Sequence, residues 1–293
     1  MVDWQKIQVI VPIYHPDNKF IELLKMLKRQ SIGRVTVLII DSGSHKDWLN
    51  YTEGLDLQVE DIDSRDFNHG GTRQMGINMC IDKEIFIFLT QDAILADEYS
   101  LENLVNAFEN PSVGCAYGRQ IPHKSANRFA AFARLYNYPA ESWVRSFEDR
   151  HKYGLKTAFM SDSFAAYRKS AMEQVGGFPL NVVVSEDMYV AAKMLMHGWK
   201  VAYVAEARVY HSHNFTAWQE FKRYRDIGRF HAKEKWIREI FGKAEENGKE
   251  FVLAQVKFLK NNPLLLGKMI LSNGIKFLGY KIGSFHKGGS SIE

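Results

Sequence analysis

The sequence predicts an α/β fold in which a mostly parallel sheet is flanked by helices. Short β-branched runs at residues 7–12 and 35–40 are typical of buried strands. Residues 18–29, between the two runs, repeat apolar side chains at helical spacing. A strand, a helix and a strand of these lengths form a βαβ unit, which requires a parallel sheet.

The later segments extend this plan. Residues 70–80 predict a helix, and residues 85–89 predict a further buried strand. A helix is expected over residues 188–197 and a strand over residues 201–204. From residue 218 onward the pattern is helical, so we expect an α/β domain at 1–217 and a basic, amphipathic helical region at 218–293.

The composition is that of a globular protein. Hydrophobic residues make up 46% of the chain and charged residues 25%, which excludes disordered and collagen-like classes. Cys80 and Cys115 lie in apolar segments and are expected to be buried thiols in a reducing compartment. We expect no membrane span, and residues 1–6 do not resemble a signal peptide, so the expected location is cytoplasmic.

Positive charge is concentrated near the C-terminus. Residues 218–293 carry 15 Lys and Arg against 8 Asp and Glu, a net charge of +7, whereas residues 1–217 carry −3. Residues 264–285 mix apolar side chains with lysines, which is typical of helices that lie on an anionic leaflet. Packing on the α/β domain or in a homodimer is the alternative. Nucleic-acid binding is disfavoured, because no recognition motif accompanies the charge.

Several nucleotide-dependent and hydrolytic classes are excluded by motif. The first strand is followed by Pro-Ile-Tyr-His-Pro rather than G-x-G-x-x-G, which argues against a dinucleotide fold. Neither a P-loop nor a G-x-S-x-G nucleophile elbow occurs. In open α/β sheets, sites lie beyond the carboxyl ends of the strands, where polar side chains follow three of the predicted strands.

The chain contains eight short motifs, each of which is a weak signal alone but which together, in this order, form a strong one. They are VIVPIYHP, LIIDSGS, FNHGGTRQMGIN, FLTQDA, SDSFAAYR, GGF, SEDM and YHSH. In this order the chain resembles family 2 glycosyltransferases, which have the GT-A fold, over about residues 7–213. FNHGGTRQ and TQDA are most similar to bacterial rhamnosyltransferases that build cell-surface rhamnan or O-antigen chains.

Asp92 is the predicted metal ligand. It follows a buried strand, and hard cations prefer carboxylate oxygen. By resemblance it matches the last Asp of a D-x-D motif that binds Mn²⁺ or Mg²⁺, although Thr90 replaces the first Asp. The resemblance also implies a histidine ligand after the catalytic base. Its spacing favours His211, but alternation along a strand places His213 on the same side.

The resemblance implies that Asp187 is the catalytic base. It lies in a Ser-Glu-Asp sequence, and the alternative is that Ser185 and the acidic residues simply cap a helix. By the same resemblance, Glu186 is expected to contact the acceptor or to orient the helix, and Asp162 is expected to face the acceptor or the sugar-binding region.

The resemblance further implies a nucleotide-sugar pocket. Its expected members are Pro12, Tyr14, Asp41, Ser42, Arg73 and Gln91. Asp41 would bind the pyrimidine base or ribose, and Arg73, near a helix start, would bind the diphosphate or the base. The alternatives are a turn aspartate and a solvated surface arginine.

The resemblance implies an inverting transferase that uses dTDP-β-L-rhamnose and a polyprenyl-linked glycan acceptor, and we expect it at the inner face of the cytoplasmic membrane. The alternatives are the same fold with a UDP-hexose donor, or a non-catalytic, glycosyltransferase-like scaffold at the membrane.

Overall fold

The computed structural model describes residues 3–242 and 244–285, and within them nine strands form one mixed sheet. The strands are β1 (Ile7–Ile13), β2 (Thr36–Asp41), β3 (Asp56–Asp61), β4 (Ile85–Leu89), β5 (Ile94–Leu95), β6 (Val113–Ile121), β7 (Trp143–Arg145), β8 (Phe164–Arg168) and β9 (Lys200–Tyr210). Their order is β3-β2-β1-β4-β8-β6-β9-β5, and β7 also pairs with β9.

The helices lie between and after these strands. They are α1 (Asn18–Leu27), α2 (His69–Met79), α3 (Ser100–Asn106), α4 (Arg128–Asn137), α5 (Arg150–Tyr153), α6 (Lys169–Val175), α7 (Glu186–Met196), α8 (Ala217–Lys233), α9 (Lys235–Phe241), α10 (Ala244–Leu259) and α11 (Pro263–Ser284). Short 3₁₀ helices occupy Trp4–Lys6, Lys46–Tyr51, Ala107–Glu109, Phe147–Asp149 and Gly154–Ala158.

The strand directions bring the site residues to one edge of the sheet. Strands β1, β2, β3 and β4 pair in parallel, and β6 pairs in parallel with β9. Between these two groups, β8 runs antiparallel to both β4 and β6. The carboxyl ends of β1, β2, β4, β6 and β9 therefore meet the start of β8 along a single edge.

Alternate residues of the central strands feed two apolar cores, one on each face of the sheet. On β4, Phe86 and Phe88 belong to one core, whereas Ile85, Ile87 and Leu89 belong to the other. This arrangement confirms the predicted α/β fold with helices on both faces. The predicted strands over residues 7–12, 35–40 and 85–89 are confirmed as β1, β2 and β4. The predicted strand at 201–204 is the middle of the much longer β9.

The helical character predicted for residues 218–293 is confirmed in its described part. Helix α9 buries Ile237 and Phe241 in the same core as the sheet. Helices α8 and α11 approach closely, since a Cβ on Gly279 would lie 2.5 Å from the carbonyl oxygen of Phe221. Residues 1, 2, 243 and 286–293 of the predicted segments lie outside the described residues. Among the described helices, none combines the length and apolarity that crossing a bilayer needs.

Candidate active site

Strand pairing places Asp92 beside the two histidines that follow β9. Ile94 of β5 pairs with Tyr210, and the His211 amide donates to the Ile121 carbonyl at 2.9 Å. The Nε2 atom of His211 lies 3.4 Å from Asp92 Oδ1, and that of His213 lies 3.6 Å from Asp92 Oδ2. The potential ligand atoms of all three residues lie within 4.8 Å of one another.

The protonation states of these three groups suit a cation. Burial acts to raise the pKa of Asp92, but its contacts with His211 and His213 outweigh burial and hold that pKa well below the usual range. Burial lowers the pKa of His211, and burial with the neighbouring His211 lowers the pKa of His213 to about 4. At neutral pH the cluster is one carboxylate and two neutral imidazoles, the forms that ligate metals.

A second charged cluster surrounds Arg73, whose side chain is buried. Its Nε lies 3.1 Å from Asp162 Oδ2, and its Nη1 donates to Glu186 Oε1 at 2.9 Å. Tyr167 Oη donates to the other oxygen of Asp162 at 2.6 Å. The guanidinium therefore lies between two buried carboxylates. Their negative charges compensate for its buried positive charge.

Asp187 lies next to this cluster at the start of α7, and it is half-buried. Its Oδ2 accepts the Asp162 amide at 3.3 Å, and its Oδ1 accepts the Met188 amide at 2.7 Å. Ser185 has a φ of 67°, a left-handed conformation that is uncommon outside glycine. Within the described residues the Ser185 side chain makes no capping hydrogen bond, so simple capping does not account for this turn.

Charge crowding changes the acidity of the carboxyl groups. Burial, together with the negative charges of Glu186 and Asp162, raises the pKa of Asp187 well above its ordinary value. Burial also raises the pKa of Asp162 to about 6, although Arg73 opposes this shift. Asp187 is therefore a stronger base than an exposed aspartate, and its partial exposure leaves it within reach of a substrate.

Apart from Arg73, which lies on α2, the predicted nucleotide-pocket residues lie at the ends of β1, β2 and β4. The Gln91 side chain accepts a hydrogen bond from the Tyr14 amide at 2.8 Å and donates one to the Tyr14 carbonyl at 3.1 Å. These two bonds connect the end of β4 to the end of β1. Pro12 is half-buried, and the Tyr14 side chain is 53% exposed. Ser42 Oγ donates to the Ile13 carbonyl at 2.8 Å, which ties β2 to β1.

Asp41 is the most distinctive member of this group. Its Oδ1 accepts the amides of Gly43 and Ser44 at 3.1 and 2.8 Å. Its Oδ2 is buried and has no hydrogen-bond partner within the part of the chain that is described. A buried carboxylate oxygen without a donor is costly unless a ligand supplies one.

The structure thus brings Asp92, His211 and His213 into one group and Arg73, Asp162, Glu186 and Asp187 into another, while the other predicted pocket residues lie at the ends of β1, β2 and β4. Ser161 connects the Asp92 group with the Asp187 group. Gln120, which contacts His211, donates from Nε2 to Ser161 Oγ at 2.7 Å, and Asp162 is the next residue after Ser161. Arg73 faces two carboxylates instead of an open anion site. Sequence reasoning missed Gln120, which lies behind His211, since it belongs to none of the recognised motifs.

Comparison with known proteins identifies the family. The family model described as "Glycosyl transferase family 2" matches residues 8–176. The O-antigen chain rhamnosyltransferase RfbN of Salmonella typhimurium is 46% identical over 280 residues, which cover 95% of this chain and 89% of RfbN. WbaN of Salmonella anatum, with the same description, is 42% identical over 277 residues, which cover 94% of this chain and 88% of WbaN.

Solved structures share the fold at low identity. A mannosyltransferase, PcManGT, from Pyrobaculum calidifontis in complex with GDP-Man and Mn²⁺ has a TM-score of 0.61 and 21% identity, covering 91% of this chain and 73% of that one. TarS 1–349 of S. aureus in complex with UDP-GlcNAc has a TM-score of 0.57 and 14% identity, covering 95% and 90%. With its site geometry and these relatives, the chain belongs to glycosyl transferase family 2 and is a glycosyltransferase.

Proposed function

We propose that this enzyme is an inverting rhamnosyltransferase that transfers L-rhamnose from dTDP-β-L-rhamnose to a hydroxyl of a lipid-linked cell-surface glycan. The observation that carries the mechanism is the position of Asp187, half-buried at the start of α7, where it accepts the Asp162 amide. Contacts through Ser161 and Gln120 link Asp162 to His211 of the Asp92 group. The choice of rhamnose rests on the similarity to RfbN and WbaN, both described as O-antigen chain rhamnosyltransferases.

Asp92, His211 and His213 are the residues that would hold a divalent cation. When bound, the cation supplies positive charge that stabilises the departing nucleoside diphosphate. A carboxylate with two imidazoles favours Mn²⁺ over Mg²⁺, because Mg²⁺ prefers oxygen ligands throughout. The two histidines also compensate for Thr90, which stands where the related motif has a further acid.

Asp187 would take the proton from the acceptor hydroxyl as that oxygen attacks the anomeric carbon. A general base works best when its pKa lies near the working pH, and crowding by Glu186 and Asp162 moves Asp187 in that direction. Arg73 would stabilise the two neighbouring carboxylates and hold them against the base. We assign Arg73 to this cluster rather than to the diphosphate, because its guanidinium is already paired.

The donor nucleotide would lie over the ends of β1, β2 and β4. Asp41 Oδ2, which has no hydrogen-bond partner among residues 3–242 and 244–285, is suited to accept a hydrogen bond from the ribose or the base. Tyr14 presents an exposed ring, and Gln91 fixes the backbone beneath it. Pro12 and Ser42 would shape the floor of the pocket.

The two alternatives to this proposal differ in the residues that they require. A UDP-hexose donor would use the same Asp187 and Asp92 chemistry with a different sugar pocket. A non-catalytic scaffold would need neither group, and the preorganised charges at Asp92 and Asp187 argue against it.

The experiment that tests the proposal measures turnover of dTDP-β-L-rhamnose, UDP-glucose, UDP-galactose and UDP-GlcNAc by the purified enzyme with Mn²⁺. We expect preference for dTDP-β-L-rhamnose, and a loss of about 10²–10⁴-fold in the Asp187→Asn variant, the usual contribution of a general base. The exposed Asp66→Asn variant is the matched control and should retain activity. Activity that survives Asp187→Asn contradicts the mechanism, and preference for a UDP-sugar contradicts only the donor.

The pH dependence of kcat/KM tests the electrostatic origin of the base. Because Asp187 must be deprotonated, activity should fall as the pH drops through its raised pKa, well above the value of about 3.9 for an ordinary aspartate. The Glu186→Gln variant removes a neighbouring negative charge, so it should lower that pKa and move the acidic limb to lower pH. Glu239→Gln, at an exposed position, should leave the limb unchanged. An acidic limb that Glu186→Gln fails to move would refute the cluster's role.

We also propose that α10 and α11 dock the enzyme on the anionic inner face of the membrane, where a lipid-linked acceptor resides. Residues 248–285 contain six lysines and one glutamate. Opposite the side of α11 that contacts α8, exposed apolar side chains form a stripe along the helix. The stripe consists of Leu264, Ile270, Leu271, Phe277, Leu278, Ile282 and Phe285. An exposed apolar stripe in a segment with a net positive charge suits the boundary between headgroups and acyl chains.

Vesicle co-sedimentation tests this docking. We expect binding to vesicles of phosphatidylethanolamine and phosphatidylglycerol, weakened by salt, and little binding to pure phosphatidylcholine. The double variant Leu271→Gln with Leu278→Gln should lose binding, whereas Leu135→Gln, an exposed leucine on α4, should retain it. If the stripe instead covers a second copy, the wild type will sediment as a dimer, the double variant as a monomer, and neither will bind vesicles.

A further inference from the structure

A buried glutamine on the neighbouring strand contacts the far side of the His211 ring. Gln120, near the end of β6, is 1% exposed, and its Oε1 lies 2.8 Å from His211 Nδ1. The same oxygen accepts a hydrogen bond from Arg134 Nη1 at 2.7 Å. The amide nitrogen of Gln120 donates to Ser161 Oγ at 2.7 Å.

These partners determine which tautomer His211 adopts. Arginine can only donate hydrogen bonds, so the Gln120 atom that faces Arg134 must be the oxygen. His211 Nδ1 faces that same acceptor at 2.8 Å, so this contact is a hydrogen bond only when Nδ1 carries the hydrogen. The lone pair of the neutral ring is then on Nε2, the atom that lies 3.4 Å from Asp92.

We propose that Gln120, oriented by Arg134, is a positioning residue that fixes the tautomer and ring direction of His211 for cation binding. This inference rests on the proposed cation site and adds two residues that do not themselves touch the cation. Partners behind a metal-binding histidine commonly raise its affinity by fixing the ring. The proposal also gives a reason for a buried glutamine at the end of a strand whose other side chains are mostly apolar.

Arg134 is itself held in place by the packing of α4. Asn127 caps this helix by accepting the amides of Phe129 and Ala130 at 3.0 and 2.9 Å. Phe132 packs against Phe251 and Phe258 of α10, with ring centroids 5.2 Å apart in both pairs. The guanidinium therefore extends from a fixed helix towards Gln120.

The test combines two measurements on the apoenzyme. Nitrogen-15 NMR of the histidine rings should show His211 of the wild type as the Nδ1–H tautomer, and Mn²⁺ binding can be followed by electron paramagnetic resonance. We expect Gln120→Met to populate the other tautomer and to weaken Mn²⁺ binding by about 10–100-fold. Gln120→Glu keeps the acceptor and should preserve both the tautomer and the affinity.

Two further variants separate positioning from folding. Gln255→Met removes another buried amide, between α10 and α11, and should leave Mn²⁺ affinity unchanged. Arg134→Met frees the Gln120 amide to rotate, so it should weaken Mn²⁺ binding even if Gln120→Met does not fold. An Nε2–H tautomer in the wild type, or unchanged affinity in folded Gln120→Met and Arg134→Met, overturns the inference. A wild type that binds no Mn²⁺ overturns the proposed cation site itself.

Discussion

Three carboxyl groups gather around one buried guanidinium, and the arrangement of the cleft depends on that imbalance. Arg73 pairs with Asp162 and Glu186, while Asp187 has only backbone donors among its hydrogen bonds in the described residues. One positive charge cannot neutralise three negative ones, and burial together with the charges of Glu186 and Asp162 raises the pKa of Asp187 well above its ordinary value. The structure thereby sets Asp187 apart from the neighbouring carboxyl groups of Asp162 and Glu186.

In the group of Asp92, His211 and His213, the pKa of the aspartate is shifted in the opposite direction. Asp92 faces two imidazoles and is held ionised, whereas Asp187 faces carboxylates and has a raised pKa. Two aspartates with pKa values pushed in opposite directions can serve opposite roles in one reaction. In the proposed reaction, one region favours positive charge beside the leaving diphosphate, and the other accepts a proton from the incoming hydroxyl. The path through Gln120, Ser161 and Asp162 connects the two regions by short contacts.

Part of this architecture was readable from the sequence because it depends on local patterns. Strands β1, β2 and β4 are continuous apolar runs, and Asp92 and Asp187 lie in recognisable motifs. Strand β3 was missed because it is partly exposed and contains acidic residues rather than an apolar run. The partners of Arg73 were also missed, since Glu186 lies 113 residues away in sequence and only folding brings the two together. Gln120 gave no signal, because its role depends on a neighbouring strand and on a helix that follows it.

The central claim is that a single displacement occurs with Asp187 as the base, and the stereochemistry of donor hydrolysis tests it most directly. The wild-type enzyme would be mixed with dTDP-β-L-rhamnose and Mn²⁺, and proton NMR would record the anomeric signal of the first rhamnose released, before mutarotation. A single displacement by water inverts the anomeric centre, so the account requires α-L-rhamnose as the first product. First release of β-L-rhamnose would mean that configuration is retained through two displacements, and would contradict the role assigned to Asp187.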